Sequence, residues 1–457
     1  MTRPFASPFL RADDAATPIH TFTPSSWELA DLPGPVLTFA RSQGFTGAAG
    51  QTVLMPNAEG HLGNVLFGLG DGGDTLAPAG LASGLPAGSY RLATDPAPLS
   101  RAQFAAAWAD GAYRFDAYLS DRAEPPRLVI PDGLDPAATE RLAKAEHLLR
   151  DLVNTPAEDM GPAGLQAAVS ALAETHGARL ETVMGDALLD ENYPMIHAVG
   201  RAAAQPPRLM RLSWGDPSKP HLALVGKGVA FDSGGLNLKP GDGMRHMKKD
   251  MGGAAHAIAL ADLVMAADLP VFLTLSVPAV ENAISEASFR PGDVLRSRKG
   301  LSVEIDNTDA EGRLILADAL TRVCEDAPDL VIDFATLTGA ARVALGPDLA
   351  PYYTERDDLA VALEAGAQSS GDPVWRLPLW MAYRRMLKSG VADLANAGGR
   401  MAGSITAAIF LKHFVDTRDW IHFDIWAWRT ARYGRPAGGA ACGLRATWAL
   451  LQARYTR

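Results

Sequence analysis

Residues 221–225, HLALV, form a short apolar run that feeds directly into a charged segment, VGKGVAFDSGGLNLKPGDGMRHMKKDMGG at 225–253. An apolar run of that length, bounded by glycine, reads as a buried strand. The same unit of strand, loop and helix recurs along the chain. Residues 196–199 and 209–214 read as strands, 252–267 as an Ala-rich helix, 271–277 as a strand, 313–326 as a helix and 330–334 as a strand. Such alternation calls for an α/β fold with a mostly parallel central sheet flanked by helices. In sheets of this kind the chemistry sits at the carboxyl ends of the strands. The loop after Val225 and the loop at 336–339 would both lie there.

At 457 residues the chain is long for one domain, so two are expected. Residues 1–135 read as a small N-terminal α/β domain, with strands at 36–40, 64–68 and 128–130 and a helix at 101–114. The pattern G-x-G-x-x-G at Gly68, Gly70 and Gly73 follows a strand, but Pro78 and further glycines come next. No helix is expected there to hold a pyrophosphate, so a tight turn is the reading. Residues 136–160 form a linker whose helix, 136–153, opens with Asp135 as cap and Pro136, and stops before Pro156. Residues 161–457 read as the larger α/β domain, which includes a further helix at 165–176.

The apolar stretches, such as 271–280, are too short and too broken by proline to cross a membrane. The N-terminus lacks the long apolar core of a secretory leader. Two cysteines, Cys324 and Cys442, make no disulfide framework and read as small buried residues, so a reducing, cytoplasmic setting is expected. The net charge is −10, and residues 1–135 alone carry 8 Arg, no Lys and 14 acidic residues. That balance speaks against a nucleic-acid partner.

Lysine usage marks the segment 225–253. The chain has 33 Arg and 9 Lys, and four of those lysines (Lys227, Lys239, Lys248 and Lys249) fall here, beside Asp232 and Asp250. Arginine keeps its proton, whereas a buried lysine can lose it and bind a metal or act as a base. A second cluster, NTDAEGRL at 307–314, holds Asp309 and Glu311 two residues apart. In an extended segment both carboxylates would point the same way, with Arg313 following. A helix starting near Leu314 would add its positive end. If the clusters meet, four carboxylates gather in one place, and two divalent ions would balance them. Lys227 would then be neutral, and Lys239 and Arg313 would leave surplus positive charge for an anion. Oxygen-rich ligation without His or Cys suits Mn or Mg as well as Zn. His246 and His256 read as ordinary histidines, and Lys248 and Lys249 as a solvated face. No H-E-x-x-H, P-loop or G-x-S-x-G motif competes.

NTDAEGRL at 307–314, VGKGVAFDSGGLNLKP at 225–240, KDMGGAA at 249–255, DFATLTGAARVALG at 333–346, LVNTPAEDM at 152–160 and ADLANAGGRMAGSITAAIFLKHFV at 392–415 resemble the leucyl aminopeptidases, a family of dinuclear metallo-aminopeptidases. The resemblance is strong over about 140–457 and rests on little more than VLFGLGD at 65–71 before that. It implies one metal on Asp232, Asp309 and Glu311, and a tighter one on Lys227, Asp232, Asp250 and Glu311. The carbonyl of Asp309 is a further ligand option. The ions would be Zn or Mn, with Mg or Co as further options. It implies that Lys239 polarises the scissile carbonyl, and that Arg313 holds a bicarbonate serving as general base. Met247, Thr336, Leu337 and Gly339 would line the pocket for the first side chain of a peptide with a free N-terminus, broadly hydrophobic and Leu-like. The family assembles as a hexamer of two trimers. This sequence departs at WIHFDIWAWRTARYGRP (420–436), where Trp426 and Trp428 stand in place of small residues, and GRAAA at 200–204 lacks a serine often found there. Two other functions are conceivable on such a chain: a non-catalytic DNA-binding or scaffold protein, and a dinuclear hydrolase of another bond.

Overall fold

The computed structural model describes residues 5–122, 124–430 and 436–456. The N-terminal part is built on β1 (Phe9–Leu10), β2 (Thr17–Phe22), β3 (Thr52–Pro56), β4 (Leu62–Gly68), β5 (Gly88–Leu92) and β6 (Pro126–Val129). They form one sheet in the order β1-β6-β5-β2-β4-β3, parallel except at the β3 edge. The larger part carries β7 (Arg179–Met184), β8 (Arg208–Trp214), β9 (His221–Gly226), β10 (Gly228–Asp232), β11 (Phe272–Asn282), β12 (Val294–Arg296), β13 (Ser302–Glu304), β14 (Leu330–Ala335), β15 (Ala350–Tyr353), β16 (Val374–Arg376), β17 (Leu394–Ala395) and β18 (Trp420–Asp424). Its main sheet runs β16-β15-β18-β14-β9-β11-β8-β7, with β10 on β11. The centre, β18-β14-β9-β11, is parallel throughout. Apolar faces of the flanking helices bury against it, among them Ala254, Ile258 and Leu260 of Gly252–Ala266 and Leu314, Ile315 and Leu316 of Gly312–Glu325. The architecture is the expected α/β pair of layers-on-sheet units.

Three local expectations are corrected. Residues 36–40 lie in a helix, Gly34–Ser42, with a proline in its first turn. Val36 and Leu37 are half-buried and Ala40 is fully buried. That spacing fits one side of a helix rather than alternation. Residues 196–199 also lie in a helix, Pro194–Gly200. Its first amides, Met195 and Ile196, donate to the buried carboxylate of Asp318 at 2.8 and 3.3 Å. A partner 122 residues away supplies the cap that decides helix over strand. A helix does follow the N-terminal glycine pattern, Ala77–Gly84, because Pro78 fits a first helical turn. The glycines there serve packing: a Cβ on Gly68 would lie 2.0 Å from the Ala48 carbonyl oxygen.

The helix Pro136–Asn154 joins the two parts. Asp135 accepts the Ala137 amide at 3.0 Å, as the sequence suggests. Leu149, Leu152 and Val153 are buried in the core of the larger sheet. The same helix sends Arg150 into a buried ion cluster with Asp110, from the N-terminal helix Arg101–Ala112, at 2.8 Å. Arg429 takes the other Asp110 oxygen. Burial opposes a charged Asp110, but Arg429 and Arg150 outweigh it and hold the carboxyl well below the usual range. A depressed folded pKa stabilises the fold above the unfolded pKa of about 4, and that stability is lost as pH falls below it. Asp110→Ala removes a carboxylate shared by two buried guanidinium groups, leaving Arg150 with carbonyl acceptors only and Arg429 with Asp348, and is expected to cost about 3 kcal/mol at neutral pH. Urea unfolding at pH 7 checks this, and a loss under about 1 kcal/mol would contradict it.

Candidate metal centre and substrate pocket

The charged residues converge at the carboxyl ends of the central parallel strands. β9 ends at Gly226, so Lys227 follows at once, and Asp232 closes β10. Asp250 sits on the single turn Met247–Met251 that leads into the helix Gly252–Ala266. Asp309 and Glu311 come from the loop between β13 and the helix Gly312–Glu325. Asp232, Asp309 and Glu311 each offer an oxygen, and all three lie within 4.8 Å of one another. The segment 307–311 is a turn rather than extended: Glu311 has helical backbone angles, yet its carboxylate still meets that of Asp309.

Two ammonium groups tie the carboxylates together. Lys227 Nζ donates to Asp250 Oδ2 at 2.6 Å and to the Thr336 carbonyl at 3.0 Å, and lies 3.0 Å from Glu311 Oε1. Lys239 Nζ lies 2.7 Å from Asp232 Oδ2 and also pairs with Asp309. Lys227, Asp232, Asp250 and Glu311 are almost wholly buried. Burial and the neighbouring Asp232 push Glu311 up to about 8, and the same two causes push Asp309 up to about 6. Burial alone would lower both lysines, but the surrounding carboxylates overcome it and raise them; to bind a divalent ion among those carboxylates Lys227 would have to lose its proton. Burial lowers the Arg313 guanidinium to about 10 against the support of Asp424 and Glu311.

Side chains outside the predicted set hold these loops. Asn282 Nδ2 donates to Asp232 Oδ1 at 2.8 Å and to the Thr308 carbonyl at 3.1 Å. It belongs to β11, which runs five residues past the expected end at Val277, through Pro278 in register with Leu209. Asn237 Oδ1 accepts the Thr308 amide, and Thr308 Oγ1 donates to the Gly234 carbonyl. Asn396, after β17, accepts the amides of Asp306 and Asn307, and its carbonyl takes Arg313 Nη1 at 2.7 Å. Thr308 and Asn396 sit inside the matched segments, whereas nothing in the local sequence marked Asn282.

The predicted pocket residues border the same cluster. Thr336 Oγ1 donates to Asp250 Oδ1 at 2.9 Å. The Leu337 amide donates to Asp424, and Gly339 opens a short helix, Gly339–Leu345. Met247, half-buried, starts the turn that carries Asp250. Trp426 lies under the Arg342 guanidinium at 4.4 Å and the Trp428 ring packs tilted against His246, with centroids 4.9 Å apart. Residues 431–435 of the divergent stretch lie outside the described residues. The solvated face assigned to Lys248 and Lys249 is corrected. Lys249 is buried with Nζ 3.7 Å from Asp250 Oδ1, and Lys248 donates to the Asn154 carbonyl between Phe115 and Trp428. The turn is wedged between the linker helix and β10, so both stems are covered. His256 is buried, its Nδ1 on the Gly252 carbonyl and its Nε2 accepting the Cys442 amide.

The donor set fits divalent metal. Glu311 Oε2 is buried without a hydrogen-bond partner, an expensive arrangement for a carboxylate unless a cation meets it. Carboxylates with one amine suit a hard or borderline ion.

Comparison with known proteins agrees. Residues 147–447 match the catalytic domain of the cytosol aminopeptidase family, and residues 25–131 match the M17 aminopeptidase N-terminal domain. A probable cytosol aminopeptidase from Syntrophotalea carbinolica is 38% identical over 95% of this chain and 95% of its own length. The crystal structure of a cytosol aminopeptidase from Coxiella burnetii superposes with a TM-score of 0.90 at 43% identity, covering 98% of this chain and 99% of that one. The bottromycin maturation enzyme BotP, in complex with Mn, superposes at 0.84 with 34% identity over 96% and 99% of the two chains. The chain therefore belongs to the M17 cytosol aminopeptidase family and is a metal-dependent aminopeptidase acting on peptides.

Proposed function

We propose that this aminopeptidase removes the first residue, hydrophobic and Leu-like with broad tolerance, from peptides at a two-metal site. One observation carries the reading: Lys227, Asp232, Asp250 and Glu311, all buried, converge with the half-buried Asp309 and with Lys239 in one cluster at the carboxyl ends of the parallel strands. Asp232, Asp309 and Glu311 would hold one ion, and Lys227, Asp232, Asp250 and Glu311 the other. Bound there, divalent ions supply charge that polarises a carbonyl and acidifies water. Lys239, fixed by Asp232 and Asp309, presents an ammonium to the oxygen of the scissile carbonyl. Arg313 has one guanidinium arm on the Asn396 carbonyl and its Nε without a hydrogen-bond partner, which suits it to hold bicarbonate. Thr336, Leu337, Gly339 and Met247 form the wall for the first side chain.

The ions are Zn or Mn, with Mg and Co as further options, and one structural relative is a Mn complex. The chain divides into 1–135, 136–160 and 161–457, works in the cytoplasm and assembles as a homohexamer. Among the described residues no helix is long and apolar enough to cross a membrane.

A panel of aminoacyl amides assayed with Zn, Mn, Mg and Co, with metal content measured, tests the reading. Chelation is expected to abolish turnover and re-addition of one of these ions to restore it, with Leu amide among the best substrates. Metal binding should also raise Tm by mass action on the folded state. No release of amino acid from any amide under any metal would sink the proposal.

A further inference from the structure

Asp424 ends β18 directly opposite Ala335, the residue before the Thr336 loop. It is 1% exposed, and its carboxylate oxygens bond to that loop and to Ser404 rather than to the predicted metal ligands. Oδ1 accepts two consecutive amides, Leu337 at 3.2 Å and Thr338 at 2.9 Å. Oδ2 accepts Thr338 Oγ1 at 2.6 Å and Ser404 Oγ at 2.7 Å. Ser404 in turn meets the Tyr353 hydroxyl at 2.7 Å, so the carboxylate is anchored to buried side chains on β15 and on the helix Gly403–Lys412. Thr338 Oγ1 also accepts the Ala341 amide and so caps the helix Gly339–Leu345. On its other side the loop is held by the metal-site residues: Lys227 donates to the Thr336 carbonyl and Thr336 Oγ1 donates to Asp250. The loop is thus clamped between two anchors, and Asp424 is the one outside the metal cluster.

We infer that Asp424 is a positioning residue that sets the register of the Thr336–Gly339 wall against the metal cluster, and through it the fit of the peptide's first side chain. The inference rests on the proposed pocket. Two backbone amides and a side-chain hydroxyl on one carboxylate fix both the direction and the depth of the loop. Without the carboxylate, the Leu337 and Thr338 amides lose their acceptors, and the wall is free to shift relative to Asp250. A shift of about 1 Å at a substrate-positioning element costs roughly a hundredfold. Asparagine keeps one oxygen for the two amides. Its amide group can donate to Thr338 Oγ1 and Ser404 Oγ, since hydroxyls both donate and accept.

The test compares wild type, Asp424→Ala and Asp424→Asn on Leu and Ala amides, with metal content measured. Asp424→Ala is expected to keep its metals, raise KM for Leu amide about tenfold, lower kcat/KM about a hundredfold and flatten the Leu-to-Ala preference at least about threefold. Asp424→Asn should recover kcat/KM to within about fivefold of wild type. Loss of folded protein alone would lower kcat and leave KM and the preference untouched. A folded Asp424→Ala enzyme with KM and preference within about twofold of wild type overturns the inference, and so does an Asn variant no better than Ala. If Asp424→Ala does not fold, Thr338→Val decides: it removes one clamp bond and should raise KM about fivefold, whereas an unchanged KM overturns the inference. An inactive wild type sinks the aminopeptidase pocket and this inference together; an active wild type with indifferent variants sinks this inference alone.

Discussion

Lys239→Met is expected to lower kcat about a hundredfold to a thousandfold while the metal content stays at the wild-type level. Its ammonium is fixed by Asp232 Oδ2 at 2.7 Å and by Asp309, and its side chain is the more open of the two lysines in the cluster, 15% exposed against 3% for Lys227. It can therefore face a bound substrate while Lys227 cannot. A donor already oriented toward developing negative charge needs no reorganisation at the moment of reaction, which is why removing one costs so much. Methionine fills the same space without charge, and the carboxylates that Lys239 leaves behind hold divalent metal better without a competing cation. Lys239→Arg keeps the charge but replaces a compact ammonium with a wider planar fork, so its rate should fall too while both metals are retained. Metal analysis beside steady-state kinetics separates the cases. Loss of metal in proportion to loss of rate would place Lys239 among the groups that build the metal site, and the electrostatic role would fall.

How legible this site was in the sequence follows from how local its contacts are. Asp309 and Glu311 share one turn, and Lys227 and Asp232 flank one short strand, so their proximity is written in a few residues. The strand–loop–helix alternation likewise placed β9, β11 and β14 and the helices between them. Asn282 and Asp424 were not visible because their partners lie far along the chain. Asn282 binds Asp232 across 50 residues and Asp424 binds Thr338 across 86. An isolated Asn or Asp after a strand carries no sign of which loop it will serve. The helix Pro194–Gly200 was hidden for the same reason, since its cap is Asp318. Lys249 misled in another way: two lysines on one turn look solvated, yet tertiary packing covers the stems, and one ammonium comes to lie beside a metal-site carboxylate.

Gly312→Ala is expected to cost the proposed Lys227 metal site about 10–100-fold in affinity, with activity falling in step. Gly312 is the first residue of the helix after Glu311 and is buried. Here a Cβ would lie 2.3 Å from Lys227 Cε and 2.7 Å from both Cδ and Nζ. The lysine stem crosses directly over the glycine, which is how its nitrogen reaches Asp250 and Glu311 from β9. An added methyl must push that nitrogen out of the carboxylates or tilt the helix start, which carries Glu311. Either movement separates residues that the proposed Lys227 site needs together. Lys227→Arg should produce the same defect by another route: the guanidinium is bulkier where there is no room beside Gly312, and it cannot give up its proton to bind metal. Chelator competition on the purified variants measures the loss. Gly312→Ala protein with a wild-type circular-dichroism spectrum and weak metal binding distinguishes a displaced ligand from a damaged fold. Two tightly held equivalents of metal in Gly312→Ala would mean that Lys227 is not a ligand and that the glycine serves packing alone.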